Sequence, residues 1–355
     1  MPLTIGAKIA SNVSSARFTG RVDEVSLYRR ALSSDEIFGI ADAGSAGKKT
    51  TGPYINSLSQ LPDAIVGQAF SHTFTSLLGT APVELALSTS STLPPPLTLD
   101  STGVLSGVPA SAGRFTFVVR ATDGAGLFAE QRCAFQAFES VPIPAGAVGW
   151  WRAEGNAQDS VGANDGALRN GAGFSPGKVG QAFSLDGSTG SVEIPDAPAL
   201  RPVSLTLEAW VAFETISGIR VVFAKPVGTG TSDSYALWLD GRTLNGAVGD
   251  AAAIGPILSG AFSAVPGRWY HLAYTFDDGT KQQALYVDGT QVVPATASRS
   301  IGYDGQPLLL GRDTENGVPN FFLQGRIDEA AVYNRVLSAA EIAAIYNAGA
   351  AGKHL

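Results

Sequence analysis

An all-β chain made of more than one sandwich is what this sequence predicts. Short runs of Val, Leu, Phe and Tyr alternate with polar residues, and Gly, Pro, Ser and Thr interrupt them roughly every eight to twelve residues. Only 15% of the residues are charged, well under the usual quarter. At 355 residues the chain is too long for one typical domain and suits two or three.

Composition also excludes several function classes. The net charge is −7, and no Lys/Arg cluster offers a phosphate footprint, so nucleic acid is not an expected partner. No apolar run approaches the ~18 residues of a membrane span, which argues against membrane insertion. Met1-Pro-Leu-Thr-Ile lacks the basic start and apolar stretch of a secretion signal. If the protein is exported, its signal is expected upstream. The single cysteine, Cys133, excludes an internal disulfide and sits in an apolar run as a small core residue.

An internal repeat sets the organisation. Gly20-Arg-Val-Asp-Glu and Gly325-Arg-Ile-Asp-Glu begin matching stretches 305 residues apart, Asp328 answering Asp23 without a gap. From 20 to 48, 16 of 29 positions are identical to their counterparts. Residues 1–48 therefore read as the C-terminal remnant of a preceding copy of the last domain, with other repeats of the same chain as neighbours. Each copy carries a capping box, Ser33 with Glu36 and Ser338 with Glu341, which predicts a short helix after the last strand. Ile342 and Ile345 give that helix an apolar face, and Gly349 is a good stop.

Residues 52–139 alternate in Gln68-Ala-Phe-Ser-His-Thr-Phe, in Val83-Glu-Leu-Ala-Leu and in Arg114-Phe-Thr-Phe-Val-Val-Arg-Ala before an Asp123-Gly124 turn. With Leu93-Pro-Pro-Pro-Leu-Thr-Leu-Asp and Thr102-Gly-Val-Leu-Ser-Gly-Val-Pro between them, the segment resembles the Ig-like (cadherin-like) domains of bacterial surface proteins. Pro96 stands where that family prefers Gly. The resemblance implies a spacer. Pro142-Ile-Pro-Ala-Gly reads as a linker.

Residues 147–353 carry a series of motifs in order. They include Gly149-Trp-Trp-Arg-Ala-Glu-Gly-Asn, Gln181-Ala-Phe-Ser-Leu-Asp-Gly, Leu205-Thr-Leu-Glu-Ala-Trp-Val, Gly267-Arg-Trp-Tyr-His-Leu-Ala, Leu285-Tyr-Val-Asp-Gly and Gly325-Arg-Ile-Asp-Glu. This series resembles the laminin G-like (type 3) jelly roll of the concanavalin A-like lectin/glucanase superfamily. The residues themselves support the same fold. Ser204–Val211 and Trp269–Phe276 alternate, and Asp288-Gly289 signals a type I′ hairpin. Leu207, Trp210 and Phe276 are expected in the core. Trp150 and Trp151 should face opposite ways, so that only one reaches the core.

Asp328 is the leading site candidate. Alternation puts it on one face with Ala330 and Val332, where a carboxylate needs a counter-charge or N–H donors. The resemblance implies a structural calcium held by Asp328 with Glu154, Asn156, Asp159, Asp186 and Gly187. Arg326 or turn amides are the simpler partners. For glycan binding, Tyr235, Trp238 and Tyr303 lie near turns, although Tyr235 and Trp238 must point to opposite faces. Catalysis is not expected. The nearest acids on one face, Glu208 and Glu214, are six residues apart along a strand, too far for a glycosidase pair. His271 reads as strand filler. The expected function is an extracellular or cell-surface binding protein, with a glycan or surface ligand as partner. The alternatives are a purely structural stalk repeat and an accessory module of a larger glycoside hydrolase.

Overall fold

The computed structural model describes residues 52–355 and, before them, Ile5, 8–10, 13–15, 18–23, 25–27, Ile37, Ile40 and Ala41. In that early stretch Lys8–Ala10 pairs antiparallel with Val13–Ser15. The capping box expected at Ser33 and Glu36 lies outside the described residues. The chain divides into two compact units, residues 1–62 with 67–136, and residues 63–66 with 137–355.

The first unit is the expected Ig-like sandwich. Gly113–Asp123 pairs with Val83–Leu87, and Phe70–Thr73 pairs with Val104–Gly107 beside Thr98–Leu99. Alternate residues of Gly113–Asp123 are buried, as the sequence pattern requires. Phe70 stacks on Phe135 with centroids 5.2 Å apart. Cys133 is buried in the same core.

The second unit is a jelly roll of two eight-stranded sheets. The first sheet runs Gly173–Pro176, Gln181–Asp186, Gln324–Tyr333, Leu205–Phe213, Trp269–Phe276, Gln282–Val287, Thr290–Thr296, and Ala147–Trp151 also pairs with Gln324–Tyr333. The second runs Ala167–Arg169, Ser191–Ile194, Leu308–Leu310, Ile219–Val227, Ser232–Asp240, Thr243–Asp250, Ala253–Ile254, with Leu258–Ala261 pairing onto Thr243–Asp250. Leu207, Ala209, Val211 and Phe213 point inward against Phe223, Tyr235 and Leu237 of the facing sheet. Asp288 and Gly289 both have positive φ, 49° and 74°, as a type I′ turn demands.

All nine residues of Leu205–Phe213 are buried, which alternation alone would not give. A second apolar cluster covers the outer face of the first sheet: Trp150, Ala331 and Tyr333 lie beneath Leu337, Ile342 and Ile345. Both tryptophans of the opening strand are therefore buried, Trp151 in the main core and Trp150 in this outer cluster. Trp210 is buried too, yet on the outer face, against His271 and Tyr346.

The cover is the helix Ala339–Ala348. Ser338 caps it as predicted, accepting from the Glu341 N–H while Glu341 accepts from the Ser338 N–H. Ser338→Ala is expected to cost about 1 kcal/mol in urea unfolding. Glu341 is drawn from 4.5 down to about 2, chiefly by its hydrogen bonds with Arg335. Its folded-state value is depressed, so its contribution is present above about 4.5 and is lost as pH falls toward 2. Thermal unfolding of wild type and Glu341→Gln should differ near neutral pH and converge at the acid end. After the helix, Lys353–His354 pairs in parallel with Val141–Pro142.

Candidate functional site

A groove of about 400 Å³ opens on the outer face of the second sheet, within the size range of ligand sites. In Ser191–Ile194, Val192 and Ile194 enter the core, so Ser191 and Glu193 face outward. Arg169 stands opposite Ser191 on the neighbouring strand. Glu193 lies between two guanidiniums, 3.1 Å from Arg169 and 3.5 Å from Arg312. Arg312 also donates to Ser191 Oγ at 3.1 Å and to Thr314 Oγ1 at 2.6 Å, which fixes its fork. Burial pulls the Arg312 guanidinium below its ordinary value, though an arginine stays charged at any physiological pH.

Asp186 builds one wall. Its Oδ1 accepts the N–H groups of Ser188, Thr189 and Gly190, and its Oδ2 accepts the hydroxyls of Ser188 and Thr189. Those hydrogen bonds hold the carboxyl well below the usual carboxylate range. Asn170 steadies the turn from the other side, donating to the Thr189 carbonyl at 3.3 Å. Pro319 and Phe322 supply an apolar wall. Guanidinium, amide and hydroxyl groups beside a carboxylate and an aromatic ring suit a polyhydroxylated molecule.

The three aromatics expected to bind sugar do not line this groove. Tyr235 is 0% exposed and donates its hydroxyl to the Leu200 carbonyl at 3.1 Å, so it has no face for a sugar. Tyr303 packs edge-on against it and donates to the Pro202 carbonyl at 2.6 Å. Trp238 is half-buried on the outer side of its strand, opposite Val221 and Asn245. The residues that do form the groove lie on strands far apart in sequence, and periodicity marks only Ser191 and Glu193 as outward.

Asp328 lies elsewhere than alternation placed it. Glu329 has φ of +55°, and the pairing with Leu205–Phe213 slips between Glu208 and Trp210. This bulge shifts the phase of the strand. Ile327, Ala330 and Val332 face the main core, whereas Ala331 and Tyr333 face the outer cluster. Asp328 sits opposite Trp210, on the outer face rather than beside Ala330 and Val332. Its Oδ2 accepts the N–H groups of Lys178 and Val179, both at 2.8 Å. Turn amides, not Arg326, are its partners. Burial, and then the nearby carboxylates Glu329 and Glu154, push Asp328 well above the usual range.

Of the six residues expected to hold calcium, only Asp328 and Glu154 come together. Glu154 shares the loop with Asp328, accepting from the Gln181 N–H at 3.2 Å, and Asp328 Oδ1 is buried without a hydrogen-bond partner. The remaining four are not gathered there. Asp159 accepts from Trp150, Val161 and Asn164; Asn156 closes a turn onto Gln158; Asp186 and Gly187 form the groove wall's turn. Among the described residues no group of three or more His, Cys, Asp or Glu side chains is placed to hold a metal ion.

A buried polar network lies under the terminal helix. Glu208 Oε1 is 2.8 Å from Lys353 Nζ and accepts from the Tyr333 hydroxyl at 3.2 Å, and its Oε2 is 3.1 Å from His271 Nε2. Lys353 Nζ also donates to the Glu329 carbonyl at 3.0 Å and is 3.4 Å from Glu329 Oε2. All five side chains are essentially inaccessible. Opposing burial, Lys353 and His271 draw Glu208 below its ordinary value, and burial raises Glu329. Glu208 and Glu214 do not meet: Glu214 is exposed and engages Arg326 at 3.2 Å. His271 is a network member rather than filler, which no local pattern announces.

Residues 186–343 match the laminin G type 3 family model, described as the Concanavalin A-like lectin/glucanases superfamily. Residues 52–136 match the model described as Putative Ig domain. No curated protein matches the chain. Among solved structures, domain 4 of a GH43 extracellular arabinanase from Geobacillus stearothermophilus, in complex with arabinotriose, is 18% identical, with 56% of this chain and 96% of that one covered and a TM-score of 0.46. The botulinum neurotoxin type G receptor binding domain is 12% identical, with 57% and 51% covered and a TM-score of 0.45. The binding domain of botulinum neurotoxin DC, in complex with SialylT, is 10% identical, with the same coverage and a TM-score of 0.45. The chain thus spans about half the length of those toxin domains.

Proposed function

For a chain that carries a concanavalin A-like jelly roll behind an Ig-like domain, we propose an extracellular binding protein that takes a glycan in the groove around Arg312. The matched superfamily is described as one of lectins and glucanases, and the groove supplies what a binding module needs. The observation that carries the reading is the shared Glu193, which holds two guanidiniums side by side over a wall of hydroxyls and one aromatic ring. Hydrogen-bond donors fixed in advance lose little entropy when a sugar replaces water.

The Ig-like domain acts as a spacer in this reading, and residues 1–48 belong to a preceding jelly roll of a tandem array at a cell surface. The repeat offset supports that organisation. A glycan array probed with the full chain, with and without chelator, tests it. Binding is expected in both conditions, because the groove's lining offers one carboxylate, Glu193, already shared by two guanidiniums. Arg169→Ala and Phe322→Ala should each weaken binding about tenfold, equivalent to roughly 1.4 kcal/mol. Failure to bind any glycan in either condition would replace this reading with that of a structural stalk.

A further inference from the structure

Lys353 is threaded around Glu329. Its backbone N–H points at Glu329 Oε2 across 3.5 Å, its Nζ donates to the Glu329 carbonyl at 3.0 Å, and Nζ returns to within 3.4 Å of that same Oε2. Glu329 Oε1 is buried with no hydrogen-bond partner, and so is the Arg152 Nε that lies 3.6 Å from it. Glu208 Oε1 sits 2.8 Å from Nζ, positioned by Tyr333 and His271. The Trp150 ring closes the other side, its centroid 5.4 Å from Nζ.

An amine, a carboxyl and a second carboxylate in one dry pocket are the parts of an amide-forming site. We propose that Lys353 and Glu329 join in an intramolecular amide (isopeptide) bond, with Glu208 as the base. Glu208 takes a proton from the Lys353 ammonium, and the freed amine attacks Cδ of the Glu329 carboxylic acid. The Nζ–Cδ bond forms as the bond from Cδ to the hydroxyl oxygen breaks. That hydroxyl leaves with the second amine proton as one water, and Glu208 keeps the first. Arg152, beside Oε1, faces the charge that develops on the remaining oxygen.

Placement is what lets so ordinary an acid and amine react. Reactants fixed in contact replace a bimolecular encounter with an internal step, an advantage of up to ~10⁵–10⁸ M in effective concentration. Burial of all three groups keeps bulk water from reversing the product. The repeat carries both partners as well: Glu24 and Lys48 stand 305 residues before Glu329 and Lys353. The bond would close a ring around the helix Ala339–Ala348 and tie it to the closing strand.

The intact mass of the full chain, measured denatured, decides the matter. The expected result is the sequence mass less one water, with a tryptic product in which Ile327–Arg335 is joined through Glu329 to Val336–Leu355 uncleaved at Lys353. Lys353→Arg and Glu208→Gln should both return the full sequence mass. An unmodified wild-type mass, or a water loss mapped to other residues, overturns the proposal and leaves an ion pair. A Glu208→Gln chain that still loses the water overturns the role given to Glu208.

Discussion

Compared with Lys353→Arg, which keeps the cation but forms no amide, Lys353→Ala is expected to lower the jelly roll's unfolding free energy by about 3–5 kcal/mol. Before an amide forms, the cation at 353 neutralises Glu208, whose carboxylate lies beneath the helix, buried from solvent. Removing the cation leaves that charge facing only Tyr333 and His271, and polar partners of that kind recover part of the loss, not all of it. Urea unfolding followed by tryptophan fluorescence measures the change, since Trp150 lies against the lysine. The double variant Lys353→Met with Glu208→Gln should be more stable than Lys353→Ala, because no uncompensated charge remains. A Lys353→Ala chain within about 0.5 kcal/mol of Lys353→Arg would show that the pair is not integral to the fold.

Asp328→Ala is the second large effect. It strips the acceptor from the buried Val179 amide and the half-buried Lys178 amide, and an unsatisfied buried group costs about 1–3 kcal/mol. Asp328→Asn keeps an acceptor oxygen and should retain most of the stability. The pH response separates the two further. The folded-state value of Asp328 lies above its unfolded one, so its contribution is complete below the ordinary carboxylate range and is lost as pH rises through the folded value. Asp328→Asn should remove that part of the pH slope. Were calcium the partner of Asp328, the asparagine variant would instead behave like Asp328→Ala and a chelator would mimic both.

Much of the architecture could be read from the residues. Period-two alternation, the Asp288-Gly289 turn and the Ser338/Glu341 box each act within a few residues, and each appears where the pattern put it. What alternation could not convey was the covering of an outer face. It treats one side of a strand as solvent, so only one of Trp150 and Trp151 was expected to be buried and Trp210 was assigned to the main core. A helix more than a hundred residues later shelters Trp150 and Trp210 on the outer face. Asp328 was misplaced for another reason. A glutamate at φ +55° is not a residue type that advertises a bulge, and one extra residue reverses every face assignment before it. The groove was invisible because Arg169, Glu193 and Arg312 meet only through strand order, and Tyr235 was misjudged because nearness to a turn says nothing about which sheet face is inward.

The parallel pairing of Val141–Pro142 with Lys353–His354 has a mechanical meaning. A pull on the chain before Val141 and after His354 drags these neighbouring segments past each other lengthwise, so their hydrogen bonds must yield together rather than one at a time. Tension then travels directly from one short strand to the other. The roughly two hundred residues between them, groove included, hang outside the loaded path and can hold a ligand while the chain is stretched.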